Sequence, residues 1–264
     1  MNVVKRDGRT ELLNIEKIHE VLYWATENIK GVNISDIEIK IGVQFYDGIK
    51  SEKIHEMLIN SCADLITEKT PNYQQVAANL LNFYLRKQVF NTSDNMPSLR
   101  TVIRRNVEDG VYDKILLDKY SKDELKKLDN IIRHQRDYKF VYAGLQQLID
   151  KYLLKDRSTG RIYETPQFAY MAIAMCLFDD EQEVKDAYDC YSTFKINLPT
   201  PIMAGVRTNI KQFASCVLVD VDDDLDGIFS SIHAVGKYTA RRAGIGLNIG
   251  RMRPINSPIR GGEV

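Results

Sequence analysis

The spacing of apolar residues changes once along this chain, at Pro199, and that change limits what it can fold into. Upstream, apolar residues recur at the period that gathers them on one stripe of a helix. Downstream, β-branched runs broken by Gly and Pro replace that pattern. The expected fold is therefore mainly α, with an α/β part at the C-terminal end.

The first segment reads as a self-contained module. Val3-Val4-Lys5-Arg6, Asp7-Gly8 and Arg9-Thr10-Glu11-Leu12 predict a hairpin closed by a type I′ turn. Asn14 is placed to cap a helix bearing Ile15, Ile18, Leu22 and Ala25. Ser35 and Glu38 form a capping box for another short segment. Residues 51–66 set Ile54, Met57, Leu58, Cys62 and Leu65 on one helical face, and residues 72–90 form a further helix. A small sheet covered by a helical bundle fits this stretch.

Residues 91–97 (NTSDNMP) have the composition of a linker. Helices are expected over 98–108, over 121–136 with Ser121 and Glu124 as a capping box, and over 142–153. Residues 156–160 form a turn with a short extended piece after it. Thr165-Pro166 supplies an N-cap and an N1 proline for a helix through 178. Beyond the Pro-Thr-Pro turn at 199–201, Ser215 and Cys216 head an apolar β-like run. An acidic turn, a helix over 225–239 and a Gly-rich, Arg-studded segment follow. The glycines of 244–250 have GxGxxxG spacing, with no acidic residue about 20 positions on and too little chain for a βαβ unit, so they are not a dinucleotide fingerprint. They suit close approach of backbone to a ligand instead.

With 264 residues the chain can bury a sizeable core as one large or two modest domains. Its 36 basic and 36 acidic residues cancel, which leaves no overall electrostatic footprint for nucleic acid or an acidic membrane. No apolar run approaches the roughly 18 residues that span a bilayer, and the charged N-terminus has no signal-peptide core. A cytoplasmic setting, in a bacterium or a virus-infected bacterial host, is the expectation. Cys62, Cys176, Cys190 and Cys216 include no CxxC pair and no zinc-spaced His, so no metal site is expected and free thiols are the default. The first three lie in helical patterns and read as packing residues. Cys216 differs: it follows a loop and neighbours a hydroxyl at Ser215. On the residues alone, a buried structural Cys and a redox thiol stay equally open.

Lys5-Arg6-Asp7-Gly8-Arg9 alone would be a solvated hairpin tip. Lys5, Glu11, Asn14, Lys17, His55 (one turn after Ser51) and Lys87 make a wider set, because ammonium groups beside a helix N-terminus attract a triphosphate. Spacing does not bring them together. Asp222 to Asp226 would by itself be a solvated turn and helix start, where carboxylates are favoured.

VVKRDGRTELLNIEKI, FYDGIKSEKIHE and FYLRK resemble the ATP-cone, the allosteric nucleotide-binding module of ribonucleotide reductases. KINLPTPIMAGVRT, QFASCVL, RRAGIGLNIGR and SPIRGGE are similar to the large subunit of class I ribonucleotide reductases, in collinear order over essentially the whole chain. The resemblance implies an ATP-cone over 1–92, a helical domain over 93–212, and over 213–264 the first elements of a ten-stranded α/β barrel, left incomplete. It implies ATP or dATP contacts at Lys5, Glu11, Leu12, Leu13, Asn14, Ile15, Glu16, Lys17, Ser51, His55 and Lys87, with Ser51 where relatives carry Thr. Cys216 matches a redox cysteine; Thr200, Ser215 and Gly244 match substrate contacts. Asp223, Asp224, Leu225, Arg253 and Arg260 match a dNTP specificity site, and Ala240 replaces a residue that often bears a hydroxyl there.

In the chemistry so implied, a thiyl radical takes the ribose 3′-hydrogen. A pair of thiols then reduces the 2′-carbon as water leaves, ending as a disulfide that an outside dithiol must reduce. The thiyl cysteine, the second redox cysteine and the radical-transfer tyrosines have no match here and are expected downstream, so the sequence is read as truncated or as one half of a split subunit. The resemblance implies no cofactor held directly by this chain. It implies nucleotide effectors with magnesium, and a metal-radical cofactor on a partner small subunit. Implied partners are the C-terminal part of the large subunit, that small β subunit, thioredoxin or glutaredoxin, and ribonucleoside diphosphates; nucleic acid and membrane are not among them. The rival expectation is a non-catalytic module that senses ATP and dATP, and an inert remnant is a third.

Overall fold

Asn2–Val4 (β1) pairs antiparallel with Thr10–Leu12 (β2), Val3 opposite Glu11. The hairpin is present, but its turn is not type I′. The Lys5 N–H donates to the Arg9 carbonyl at 2.8 Å and the Gly8 N–H to the Lys5 carbonyl at 3.0 Å. Of the loop residues only Gly8 is left-handed, at φ +83°. A type I′ turn needs two such residues, so this is a three-residue loop whose glycine forms a bulge. Asp7 favours that form by accepting from the Arg9 N–H at 3.1 Å and its guanidinium at 2.7 Å. Ile49–Lys50 (β3) adds to β1 in parallel, giving the sheet order β2-β1-β3.

The structure is a computed structural model, and it describes residues 1–41, 45–241 and 243–262. The chain separates into two units, Met1–Leu198 and Pro199–Val264. In the first, Ile15–Thr26 (α1) starts at Asn14, whose side chain accepts from the Glu16 N–H. Ile34–Ile41 (α2) follows. Its cap is Asn33, which accepts from the Ser35 N–H at 3.0 Å, so the expected Ser35–Glu38 box is displaced by a better-placed amide two residues upstream. Ser51–Ala63 (α3) runs shorter than expected and leaves Leu65 beyond its end.

Tyr73–Phe90 (α4) is the hub, with Val76, Ala77, Leu80, Tyr84 and Leu85 buried against α1, α3 and Tyr142–Lys151 (which we label α8). Before α8 come Leu99–Glu108 (α5), capped by Ser98, then Ile115–Asp118 (α6) and Lys122–Ile131 (α7). The Ser121–Glu124 capping box of α7 is formed as expected. α7 stops five residues short of the expected end, because Ile132 turns extended and buries while the Tyr188 hydroxyl takes the Arg133 N–H at 2.8 Å. A 3-10 turn, His134–Lys139, replaces the missing helix. Pro166–Leu177 (α9) is apolar all round and almost wholly buried, the composition of a core helix. Thr165 precedes it in extended form but makes no capping bond. Glu181–Ser192 (α10), capped by Asp180, has a definite start that the sequence reading passed over.

In the second unit, Thr200–Gly205 (α11) occupies what reads as a Pro-Thr-Pro turn: prolines at a helix start forgo only an N–H that has no partner there. Cys216–Asp220 (β4), Leu225–Ala240 (α12) and Gly244–Asn248 (β5) then form a parallel βαβ unit, with Cys216 opposite Gly244 and Asp220 opposite Asn248. This unit ends at the glycines of 244–250, which lie in and after its second strand rather than in a turn after a first, so they open no dinucleotide fingerprint, as the spacing predicts. A Cβ on Gly246 would sit 2.8 Å from Leu218 Cδ2, the end of an exposed side chain on the neighbouring strand. Arg242 and Glu263, which belong to the motifs RRAGIGLNIGR and SPIRGGE, lie outside the described residues.

The chain is thus mainly helical, with an α/β end as the sequence pattern predicts. No described helix is long and apolar enough to cross a membrane. Leu80→Ala, at the centre of α4 and 1% exposed, is expected to cost about 2–5 kcal/mol in urea unfolding of the first unit, against roughly zero for the exposed Lys53→Ala.

Candidate functional site

The hairpin, α1, α3 and α4 gather positive charge in one place. Lys5 and Lys17 both donate to Glu11 Oε1, at 3.0 and 3.3 Å, which lowers the Glu11 carboxyl below its usual range. Arg6 reaches Glu52 at 3.2 Å and lies over the Tyr84 ring, 5.4 Å from its centroid. Its Nη2 is buried without a hydrogen-bond partner. Lys87 Nζ stands 4.1 Å from the Phe83 centroid, one helical turn away on α4.

His55 joins this group, its ring 5.5 Å from Phe83 and 5.9 Å from Tyr84. Burial pushes its imidazole down to about 4, and the charges of Lys87, Arg6 and Lys5 add to the effect. The Lys87 ammonium is likewise lowered, first by burial and then by Arg6 and Lys5. The rings of Phe83 and Tyr84 thus gather Arg6, His55 and Lys87, with Lys5 near enough to act on their charge, a convergence that spacing could not establish. Lys5, Arg6, Lys17 and Lys87 outnumber Glu11 and Glu52, the carboxylates paired with them, which leaves the cluster with excess positive charge.

The other expected contacts sit on the same elements with other duties. Leu12 ends β2 and is exposed, and the Leu13 N–H donates to the Met1 carbonyl. Asn14 caps α1, Ile15 and Glu16 form its first turn, and Ser51 opens α3 one turn before His55. The sequence reading missed Arg6, Phe83 and Tyr84. Arg6 adjoins Lys5, and the Phe83–Lys87 spacing of four on a helix was a signal for the aromatic wall. A cavity of about 570 Å³ at the C-terminal end of α4, lined by Phe90, Asn91, Thr92 and Arg105, involves none of the expected site residues.

In the second unit, Cys216 opens β4 with an exposed side chain. The Ser215 carbonyl accepts from the Gly244 N–H at 2.8 Å, so Ser215, Cys216 and Gly244 are neighbours across the strand pair. Thr200 opens α11 and takes no part in this register. Of the other cysteines, Cys62 is buried, whereas Cys176 and Cys190 are only partly so.

The acidic turn is neutralised from the far side of β5. Asp223 accepts from Arg253 Nε at 2.7 Å, and its carbonyl from Arg253 Nη2 at 3.1 Å. Asp224 caps α12 through the Gly227 N–H at 2.7 Å, and Leu225 follows with an exposed side chain. Arg251, not foreseen, bridges Asp220 and Asp222 at 3.4 and 3.2 Å. Arg260 lies in a turn with φ +52° and is outside the Asp223–Arg253 pairing. Among the described residues no group of three or more His, Cys, Asp and Glu side chains is arranged to hold a metal.

Comparison with known proteins matches residues 1–88 to the ATP cone domain, 138–211 to the ribonucleotide reductase all-alpha domain and 214–264 to the ribonucleotide reductase barrel domain. The chain is 49% identical over 267 positions to the ribonucleoside-diphosphate reductase 1 subunit alpha of Salmonella typhimurium, and equally to that of Escherichia coli. Each match covers 99% of this chain and 35% of the relative. The subunit alpha of Enterobacteria phage T4 is 41% identical, covering 100% of this chain and 35% of its own. The chain spans about a third of the length of the curated relatives it matches.

Two half-buried histidines set a pH dependence. His55 and His134 are both depressed to about 4, mainly by burial, so unfolded imidazoles bind protons below pH 6.5 that the folded ones refuse. Their stability contribution is complete above pH 6.5 and is lost as pH falls toward 4. Asp137, pushed up to about 6 by burial, opposes this by taking its proton in the folded state between pH 6 and 3.8. A net loss on the order of 1–3 kcal/mol in chemical denaturation is expected from pH 7 to 4.5, and His55→Gln should flatten the profile.

Proposed function

Because the chain belongs to the ribonucleotide reductase large-subunit family, we propose that it supplies the N-terminal third of a ribonucleoside-diphosphate reductase alpha subunit. In this reading residues 1–92 form the activity-site module, 93–212 a helical domain and 213–264 the opening of the reductase barrel, in a cytoplasmic enzyme. The observation that carries it is the Cys216 thiol, exposed at the head of β4 with Ser215 before it and Gly244 opposite.

Cys216 acts as one of two thiols. Reduction of the ribose 2′-carbon takes two electrons: the two thiols give two electrons and two protons, the 2′-hydroxyl leaves as water, and a disulfide remains. The second thiol belongs to the remainder of the alpha subunit, and thioredoxin or glutaredoxin returns the pair to thiols. A metal-radical cofactor on the beta subunit supplies the initiating oxidation. Ser215 and the Gly244 backbone border the bound ribonucleoside diphosphate, with Thr200 as a further hydroxyl contact.

The cation cluster is the site for ATP or dATP with magnesium. Lys5, Lys17 and Lys87 neutralise the phosphates, and the start of α1, from Leu13 to Glu16, adds the positive end of its dipole. Ser51 and His55, one turn apart on α3, complete the set. The unpartnered Arg6 Nη2 supports a phosphate acceptor there. In the second unit, Asp223 holds the ribose hydroxyl of a dNTP effector while Arg253 and Arg260 meet its phosphates. Asp224 and Leu225 complete that turn.

A purely regulatory nucleotide sensor is the second reading, favoured by the cation cluster alone. A pull-down separates the two: capture of an alpha-subunit polypeptide carrying the downstream cysteines supports the reductase reading. Mixing the chain with that polypeptide and the beta subunit is expected to give CDP reduction. Cys216→Ser should abolish turnover with a dithiol reductant, and full activity of that variant would sink the redox assignment. Lys87→Met is expected to weaken MgATP binding roughly 10- to 100-fold in calorimetry, the worth of a charge-assisted phosphate contact.

A further inference from the structure

We propose that the buried seam between α4 and the 3-10 turn His134–Lys139 relays nucleotide occupancy of the cation cluster to helix α9; this rests on the effector-site reading above. Successive residues of α4 serve the two ends. Lys87 stands in the cation cluster, against Phe83. Arg86 is buried, and its Nη2 donates to the His134 carbonyl at 2.6 Å and to Asp137 Oδ2 at 3.1 Å. Its Nη1 donates to the Ser93 carbonyl and the Tyr138 hydroxyl, each at 3.2 Å.

From Asp137 the chain of bonds continues inward. Asp137 Oδ1 accepts from Gln167 Nε2 at 2.9 Å, in the first turn of α9, and Gln167 Oε1 accepts from the Tyr188 hydroxyl of α10 at 2.6 Å. An aromatic limb runs beside it. Phe83, in contact with His55 and Lys87, packs 5.5 Å from Trp24, and Trp24 meets Tyr138 edge-on at 5.6 Å. The Arg86 guanidinium lies over Tyr138 at 4.9 Å, so both limbs meet at the Arg86–Asp137 pair.

The seam is also incompletely satisfied. Both amide atoms of Asn82, one turn before Arg86, are buried without hydrogen-bond partners, as are Arg86 Nε, His134 Nδ1 and Thr165 Oγ1. Unpaired buried polar groups raise the free energy of this arrangement relative to one that re-pairs them. Such an element can be shifted by ligand binding energy. A phosphate drawn against Lys87 bears on the same helical turn that holds Arg86.

Hydrogen exchange of the full chain with and without MgATP tests the relay. In the wild type, MgATP is expected to change amide exchange at least about twofold over residues 134–139 and 166–171. Asp137→Asn should keep the MgATP Kd within about threefold by calorimetry and lose that response. An undiminished response in Asp137→Asn, or a wild type that binds MgATP with both segments silent, overturns the relay alone. A wild type that binds no MgATP overturns the effector-site reading and the relay with it. Should circular dichroism show that Asp137→Asn does not fold, Tyr138→Phe decides, since it removes one Arg86 acceptor and keeps the ion pair. A reduced response at unchanged Kd then supports the relay, and an unreduced one overturns it.

Discussion

Burying a guanidinium obliges the surrounding chain to supply acceptors, and Arg86 imposes that demand at the middle of the first unit. Its partners come from two stretches: Ser93 in the linker after α4, and His134, Asp137 and the Tyr138 hydroxyl in the 3-10 turn. Gln75, on the same helix, adds donations to the Tyr138 and Phe140 carbonyls. Replacing such a pair by apolar residues is often harmless, whereas removing one partner costs about 3–5 kcal/mol. Its value is therefore mainly in register: it fixes where the 3-10 turn lies along α4, and hence where α9 begins.

The opposite flank of α4 shows the reverse condition, positive charge without full compensation. Glu11 serves two lysines at once, and His55 is held neutral by burial and by the cations around it. A folded protein tolerates this arrangement because the charged groups lie on partly exposed side chains, where water screens them. An anion would supply what the carboxylates do not. One helix thus carries a buried ion pair at Arg86 and an uncompensated cation cluster at Lys87.

The second unit depends on a thinner framework. Two parallel strands and α12 hold Cys216, Ser215 and Gly244 in a fixed register, and Arg253 ties the acidic turn to the segment after β5. Leu218 is 88% exposed, and Leu247, Phe229 and Ile232 are also exposed. Parallel sheets are ordinarily covered on both faces, and here these apolar residues of β4, β5 and α12 lie uncovered.

Much was legible in the sequence. The Asn14 and Ser121 caps, the long α4 helix and the β4–α12 succession follow from local periodicity and capping chemistry, which act within a few residues. The departures had both local and distant causes. Asp7-Gly8 was compatible with two loop types, and only the Asp7–Arg9 contacts selected between them. The helix expected over 121–136 obeyed its periodicity until the Tyr188 hydroxyl, 55 residues away, offered the Arg133 N–H another partner. The sequence by itself determined which segments are helical and which residue types stand ready for phosphate and thiol chemistry. The tertiary structure alone decided that Lys5, Arg6, His55 and Lys87 meet, that Asp223 pairs with Arg253, and that Arg86 is buried on Asp137. Such contacts join positions far apart in the chain, and their energies arise only when folding removes the water between them.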